Sequence, residues 1–295
     1  MRIVILGDIH GFFSEEDIQY FNDSQIDLIL LVGDLPGRLH RFLPVCRLLS
    51  RLKHRTLLIP GNHDATSIMQ VIGEIRANRA MIERHSGGQE ARLAELSAAI
   101  SPVEVCGYSL HRLGTGSDSL EVLAGRPHSM GGRDMGFEPY LRRRFGVTDL
   151  NESLTLYKQI IDRSELPLLF LAHNGPTGLG GRAHDIWGCD FRQAEDFGDP
   201  DLALAMEYAR ARCRVLGVVA GHMHHRLKGG GERITFLSRD GIFYLNAARV
   251  PRIYTERGRK VRYHIEMQWQ QGQVVVEEVL VSGQQTIESR LLYSS

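Results

Sequence analysis

Residues 56–64 read Thr-Leu-Leu-Ile-Pro-Gly-Asn-His-Asp, and this stretch decides the fold of the chain. Its first part, residues 56–59, predicts a short buried strand, and the Pro-Gly pair that follows breaks the strand and turns the chain. Asn62, His63 and Asp64 then place three side chains that bind metals or transfer protons directly after a strand. The stretch therefore predicts a functional site at the carboxyl end of a β-strand.

Four other segments repeat the arrangement of an apolar run followed by a His or an Asp. The residues that end these runs are Asp8 and His10, then Asp34, then His173, and finally His222 and His224. Ligands of open α/β sheets bind outside the carboxyl ends of the strands. We therefore expect five separate turns to meet at one rim of the molecule.

The length of 295 residues allows one large α/β domain with a sizeable core. We predict a single domain over 1–295, with a helical insertion at about 66–100 and a loop insertion at about 125–137. The 35 basic and 35 acidic side chains cancel, which argues against a general nucleic-acid binder or a membrane-surface protein. The oligomeric state is left open by the sequence.

The four cysteines form no C-x-x-C pair and are too sparse for a disulfide scaffold, so we expect a reducing, cytoplasmic location. The apolar run at residues 3–6 is too short for the apolar region of a secretion signal. No apolar run approaches the roughly 20 residues of a membrane helix.

Apolar periodicity predicts alternating strands and helices in the first part of the chain. Strands at 3–6, 28–32 and 56–59, with helices from Ser14 and over about 38–53, are typical of a parallel sheet. Further helices are expected within 66–99, 151–165 and 199–213, and further strands at 103–105, 109–111, 120–123, 166–172 and 215–220. From residue 233 onward the pattern predicts a meander of antiparallel strands, with a turn at 271–273.

The side chains at the predicted rim suit two metal ions better than one. The candidate ligands are Asp8, His10, Asp34, Asn62, His173, His222 and His224, which are too many for a single ion. Carboxylate, imidazole and amide ligands without thiolates favour Mn, Fe, Zn or Ni. Two ions about 3.5–4 Å apart would share a bridging carboxylate and a bridging hydroxide, and this chemistry serves an in-line displacement at phosphorus.

These ordered motifs resemble those of the calcineurin-like metallophosphoesterase family. The segments that carry the resemblance are Gly7-Asp8-Ile9-His10-Gly11, Gly33-Asp34, Gly61-Asn62-His63-Asp64, His173 and Gly221-His222-Met223-His224. The resemblance implies a four-layer αββα sandwich of two mixed β-sheets flanked by helices, with the strands after residue 233 in the second sheet. It also implies a metal-dependent phosphoric ester hydrolase.

The resemblance implies a role for each matching residue. Asp8, His10 and His224 would hold one metal, and Asn62, His173 and His222 the other, while Asp34 bridges the two ions. His63 would protonate the leaving oxygen, and Asp64 would hydrogen-bond to His63 and orient its ring. Besides Asn62, the candidates for substrate phosphate contacts are Arg38, His128 and Arg133.

The sequence leaves the substrate open. A small phosphorylated substrate is expected, with a phosphomonoester slightly favoured over a phosphodiester or a nucleotide pyrophosphate. A nuclease usually needs a basic groove, which the neutral net charge does not predict. A binding scaffold that has lost catalysis is the alternative from another class, although every expected ligand position is filled. The identity of the metals, manganese among them, is likewise open.

Overall fold

The computed structural model describes residues 1–37, 42–191 and 193–295, and for Ser117 the backbone alone. The elements in chain order are β1 (Arg2–Leu6), α1 (Glu15–Asp23), β2 (Leu28–Leu31), α2 (Leu43–Leu49), β3 (Thr56–Leu58), α3 (Ile68–Ile75), α4 (Arg79–Ser86), α5 (Gln89–Ile100), β4 (Glu104–Val105), β5 (Ser109–Leu113), β6 (Leu120–Ala124), α6 (Glu138–Phe145), α7 (Leu150–Ile161), β7 (Leu168–Leu171), α8 (Pro200–Arg210), β8 (Val215–Ala220), β9 (Phe236–Arg239), β10 (Ile242–Asn246), β11 (Ile253–Glu256), β12 (Arg259–Gln270), β13 (Gln273–Ser282) and β14 (Gln285–Ser294). Among these residues, no helix combines the length and the apolar character needed to cross a membrane.

The strands form two mixed sheets, as predicted. The first sheet has eight strands in the order β14-β13-β12-β1-β2-β3-β4, with β11 paired to β12. Its members β1 to β4 are parallel, whereas β11 to β14 are joined by antiparallel pairings. The second sheet has six strands in the order β5-β6-β7-β8-β10-β9, of which β6, β7, β8 and β10 are parallel.

The placement of the C-terminal strands differs from the prediction. Only β9 and β10 join the second sheet, whereas β11 to β14 extend the first one. The long strand β12 pairs with the edge of β1 that faces away from β2, in a register that places Ile3 opposite Met267. An unpaired strand edge exposes a row of backbone amides and carbonyls without partners. The pairing with β12 supplies hydrogen-bond partners for this edge of β1.

Three apolar layers hold the sandwich together. Successive residues of a strand point to opposite faces, so Ile3 of β1 packs into the core between the two sheets, and Val4 packs under the outer helices. On that outer face α1, α2 and α5 cover the first sheet. On the other side, α6, α7 and α8 cover the second sheet. This arrangement is the predicted αββα sandwich.

Several predicted helices are confirmed with shifted ends, and some elements were missed. Helix α1 begins after Ser14, whose side chain forms a capping box with Asp17. The predicted helix 38–53 appears as the shorter α2, and residues 38–41 lie outside the described part of the chain. Sequence reasoning did not find α6, β11 or β14. The division into one domain with two insertions stays a prediction.

A buried ion network anchors the loop after β6. The guanidinium of Arg126 donates to both oxygens of Asp201, at 2.9 and 3.1 Å, and to Asp199 at 3.0 Å. The hydroxyl of Ser129 donates to the same oxygen of Asp199 at 2.6 Å. Asp199 is the N-cap position of α8, as the sequence indicated, but its side chain makes no cap hydrogen bond. The network therefore ties the loop to the start of α8.

We expect the substitution Arg126→Met to lower the free energy of unfolding by about 3–5 kcal/mol, because it leaves two buried carboxylates without their cation. Arg212→Met is the matched control, since the Arg212–Asp162 pair is about half exposed. Exposed pairs contribute at most about 1 kcal/mol. Urea denaturation of both variants measures the difference, and equal losses would show that the buried network does not stabilise the fold.

Candidate metal centre

The five predicted turns meet at one place in the structure. Strands β1, β2 and β3 end at the same edge of the first sheet, and β7 and β8 end at the facing edge of the second. Asp8, His10, Asp34 and His222 each have a positive φ angle, between 34° and 67°. Such backbone costs about 1–3 kcal/mol per residue and persists where the surrounding structure imposes it.

The first ligand group consists of Asp8, His10 and His224, whose ligand atoms all lie within 4.8 Å of one another. The Nε2 atoms of His10 and His224 are 3.1 Å apart, and Oδ2 of Asp8 lies 3.3 Å from Nε2 of His224. The Oδ2 atom is fully buried and has no hydrogen-bond partner in the described structure. A buried carboxylate oxygen that accepts no hydrogen bond is costly, so a cation fits this position.

The second ligand group consists of Asp34, His173 and His222, also within 4.8 Å. Asn62 completes it, because its Oδ1 lies 3.0 Å from Nε2 of His173 and 2.9 Å from Nδ1 of His222. Nδ1 of His173 donates to the carbonyl of Val32 at 2.6 Å, which orients the ring with Nε2 towards the group. This contact is typical of metal-bound histidines.

Asp34 lies between the two ligand groups. Its Oδ2 is 3.6 Å from Nε2 of His10 in the first group and 3.7 Å from Nε2 of His173 in the second. Burial alone raises the pKa of Asp34, but His173, His63 and His10 outweigh burial and hold the pKa below its ordinary value. For His173, burial lowers the pKa, and Asp34 and Asp8 raise it by more, so the net shift is upward.

Glycines precede the ligand residues because the turns approach each other too closely for a Cβ atom. A Cβ at Gly61 would lie 2.3 Å from Oδ1 of Asp34, and a Cβ at Gly221 would lie 2.3 Å from Oδ1 of Asp8. Real Cβ contacts of this length do not occur. The glycines at positions 61 and 221 thus have a steric cause, which is the close packing of neighbouring turns around the carboxylates of Asp34 and Asp8.

His63 lies beside the first ligand group. Its ring is 5.7 Å from the ring of His10, between centroids, and its backbone N–H donates to Oδ1 of Asp34 at 2.9 Å. The residue is half-buried, so part of its surface faces solvent next to the ligands. A proton donor to a bound substrate needs this combination of fixed position and access.

Asp64 makes different contacts from those predicted. Its two oxygens accept hydrogen bonds from the backbone amides of Gly61, Asp34 and Leu35, at 2.7 to 2.8 Å. Asp64 therefore joins the turn after β3 to the turn after β2, instead of orienting the ring of His63. Burial, and then the neighbouring Asp34, raise the pKa of Asp64 to about 7 against the effect of these amide donors.

Three side chains besides Asn62 are predicted to contact a substrate phosphate. His128 is fully buried, with Nδ1 2.8 Å from the carbonyl oxygen of Gly61, so it supports the turn and does not face substrate. Burial lowers the pKa of His128 to about 4. Arg133 is exposed on its loop, and its substrate contact stays a prediction. The prediction for Arg38 lies outside the described residues.

Sequence reasoning missed Arg233, which supports the turn that carries His224. The buried guanidinium donates to the carbonyl of His224 at 3.1 Å and to the carbonyls of Ala183 and Asp185 at 2.8 and 3.0 Å. It also pairs with Asp190 at 3.3 Å. No local pattern around residue 233 indicates this role, because Ala183, Asp185 and Asp190 come from a loop that is distant in the chain.

A model of the calcineurin-like phosphoesterase family matches residues 1–226. The chain therefore belongs to the calcineurin-like phosphoesterase family, as the motifs predicted. Over 83 residues it is 34% identical to a symmetrical bis(5'-nucleosyl)-tetraphosphatase of Buchnera aphidicola, and this match covers 27% of the chain and 30% of that relative.

Two solved structures are similar over most of the chain. One is a phosphopantetheinyl hydrolase of Mycobacterium tuberculosis, with a TM-score of 0.47, 13% identity, and 83% and 87% of the two chains covered. The other is a zinc complex of Vps29 from Entamoeba histolytica, with a TM-score of 0.38, 11% identity, and 99% and 100% covered. At these TM-scores the likeness does not bear on the activity of this chain.

We expect Gly221→Ala to weaken binding of Mn²⁺ about tenfold or more, because the new methyl group displaces the carboxylate of Asp8. Gly229→Ala is the matched control, since a Cβ at Gly229 meets nothing within 4 Å. Calorimetric titration of the metal-free proteins measures both affinities. Unchanged affinity in a folded Gly221→Ala protein would remove Asp8 from the ligand set.

Proposed function

We propose that this chain is a phosphoric ester hydrolase that uses two divalent metal ions. The observation that carries the proposal is the position of Asp34, whose Oδ2 lies at nearly equal distances from an imidazole nitrogen of each ligand group. A carboxylate between two sets of nitrogen and oxygen ligands suits a shared pair of ions. Family membership supports phosphoester hydrolysis as the reaction class.

The residues present fit such ions. Asp8, His10 and His224 would hold one ion, and Asn62, His173 and His222 the other, with Asp34 shared. The buried Oδ2 of Asp8, which accepts no hydrogen bond in the described structure, supports this fit. Bound ions would act as Lewis acids that polarise the phosphoryl group and supply a nucleophile at neutral pH. Oxygen and nitrogen ligands are compatible with Mn, Fe, Zn or Ni.

The protein's own contribution to bond cleavage comes from His63. Its backbone is held by Asp34, and its half-buried ring lies beside His10 at the open side of the ligand groups. We assign His63 to donate a proton to the leaving oxygen as the bond to phosphorus breaks. Asp64 acts through the backbone, because it holds the turns that carry Asp34 and His63.

Phosphomonoesters are the first substrate class that we propose, with Arg133 as a contact to the terminal phosphate. Arg133 is exposed on the loop that follows β6 in the chain, and this exposure is compatible with the role. Dinucleoside polyphosphates are the second class, and the similarity to the tetraphosphatase supports them. A catalytically silent scaffold is the remaining alternative, and it would bind under about one metal ion per chain and hydrolyse none of these esters.

We expect hydrolysis of p-nitrophenyl phosphate to require an added divalent ion and to be nearly lost in Asp34→Asn and His222→Ala. We expect His63→Ala to lower kcat by about 10²-fold or more for an alkyl phosphate, which needs a protonated leaving oxygen. The loss should be smaller for the nitrophenyl ester, because nitrophenolate leaves without a proton. Steady-state kinetics with Mn²⁺, Ni²⁺, Co²⁺, Fe²⁺ and Zn²⁺ measure these effects.

His54→Ala serves as the control, because His54 contacts the carbonyl of Phe21 just before β3, at the end of that strand opposite to the ligand turn. Full hydrolytic activity in thoroughly metal-free protein would contradict the metal-dependent mechanism. An equal loss for both esters in His63→Ala would remove His63 as the proton donor while leaving the metal proposal intact.

We expect a phosphomonoester to be turned over faster than a bis-aryl phosphodiester. Under the same conditions, Arg133→Gln should raise KM for the monoester with little change in kcat, because a contact formed equally in ground and transition states affects binding. Arg144→Gln, an exposed arginine on α6, is the control. If diadenosine tetraphosphate is instead the fastest substrate in the panel, the second substrate class replaces the first.

A further inference from the structure

A cavity lies on the side of the sandwich formed by the C-terminal strands. It has a volume of about 400 Å³, which falls within the range of small-molecule sites. The lining residues are His225, Glu232, Arg233, Ile234, Thr235, Phe236, Arg249, Tyr263, Glu278, Arg290, Leu291 and Leu292. None of them belongs to the two ligand groups, but the cavity adjoins the turn of His224, because His225 follows that residue and Arg233 donates to its carbonyl.

Arg249 is the distinctive charge of this cavity. Its guanidinium carbon lies 4.9 Å from the ring centroid of Tyr263 and 5.3 Å from that of Tyr254, so two aromatic faces hold it in place. Within the described residues, no carboxylate pairs with it. The other two lining arginines differ, because Arg233 pairs with Asp190 at 3.3 Å and Arg290 pairs with Glu278.

Neutral hydrogen-bond donors accompany this cation. The backbone N–H of Val250 donates to Nδ1 of His225 at 3.2 Å, so the ring proton is on Nε2. Thr235 adds a hydroxyl group to the lining. The cavity also has two carboxylates. Glu232 is exposed to solvent, and Glu278 pairs with Arg290 and accepts a hydrogen bond from the hydroxyl of Tyr263 at 3.0 Å.

The remaining wall of the cavity is apolar. Ile234 and Leu291 are among the exposed large hydrophobic residues of the molecule, with 42% and 59% exposure. Phe236 and Leu292 continue this wall towards the core between the sheets. Exposed apolar surface beside a fixed cation suits a ligand with an apolar body and an anionic head.

We propose that this cavity binds a small organic anion, with its phosphate or carboxylate head at Arg249 and its aromatic or aliphatic body against Ile234, Phe236 and Leu292. A guanidinium held by aromatic rings is already oriented for two parallel hydrogen bonds to such a head. The proposed cavity binds the anion without catalysing a reaction, and this binding does not require metal ions at the candidate metal centre. Its ligand therefore need not be the substrate of the hydrolase.

The test uses the metal-free 295-residue chain with EDTA present and non-hydrolysable probes. Phenylphosphonate and benzoate carry the two kinds of anionic head on the same phenyl ring. Phenol lacks the anionic head, and inorganic phosphate lacks the aromatic body. Binding is followed by calorimetry and by backbone NMR shifts. We expect at least one aryl anion to bind more tightly than phenol and phosphate, with shifts at residues 232–236 and 249.

We expect Arg249→Gln to weaken this binding about tenfold or more, because it removes the charge-assisted hydrogen bonds to the head. Arg259→Gln, at an exposed position outside the cavity, should leave it unchanged. Leu291→Trp provides a second test that retains Arg249, since filling the apolar side should weaken the aryl anions and spare phosphate. Thermal unfolding checks that the variants are folded.

The comparison of phenylphosphonate with benzoate decides which head group the site prefers. Lack of binding of both aryl anions at about 10 mM would overturn the proposal. Equal affinity of the aryl anions for the wild type, Arg249→Gln and Leu291→Trp would also overturn it. NMR shifts confined to residues 222–224 would do the same. None of these results changes the hydrolase proposal, because the probes are tested without metal.

Discussion

Three backbone amides donate to the buried carboxylate of Asp64, and the rest of the candidate metal centre depends on this contact. The amides belong to Gly61 in the turn after β3 and to Asp34 and Leu35 in the turn after β2. A carboxylate that accepts several amide hydrogen bonds fixes the positions of all its donors. Asp64 thereby places the side chain of Asp34 between the two ligand groups.

The surrounding turns are packed closely enough to carry strain. Asp8, His10, Asp34 and His222 adopt positive φ angles, and Gly61 stands where a side chain would collide with Asp34. The buried strands β1, β2 and β3, which lie in a sheet covered on both faces, supply a rigid base. A rigid base can hold several unfavourable backbone conformations at one site, and such sites are typically functional.

Sequence reasoning was most successful where one element carries its own signal. The buried strands at 3–6, 28–32 and 215–220 are apolar runs that end in a recognisable turn, and the structure has strands there. Helix α6 was missed because its apolar residues are few, and three consecutive arginines dominate its sequence. Strands β12 and β13 were found, but their sheet was not, because period-2 patterning identifies a strand without identifying its neighbour.

The sequence by itself determined the family, the order of the strand-end motifs and the candidate ligand residues, because these are properties of short segments and their spacing. Only the tertiary structure decided that Asp64 holds backbone amides instead of the ring of His63, and that His128 is buried. It alone brought Arg233 under His224 and placed Arg249 against two tyrosine rings. The physical reason is that these contacts join residues from different turns and strands, and their partners are set by how the two sheets pack.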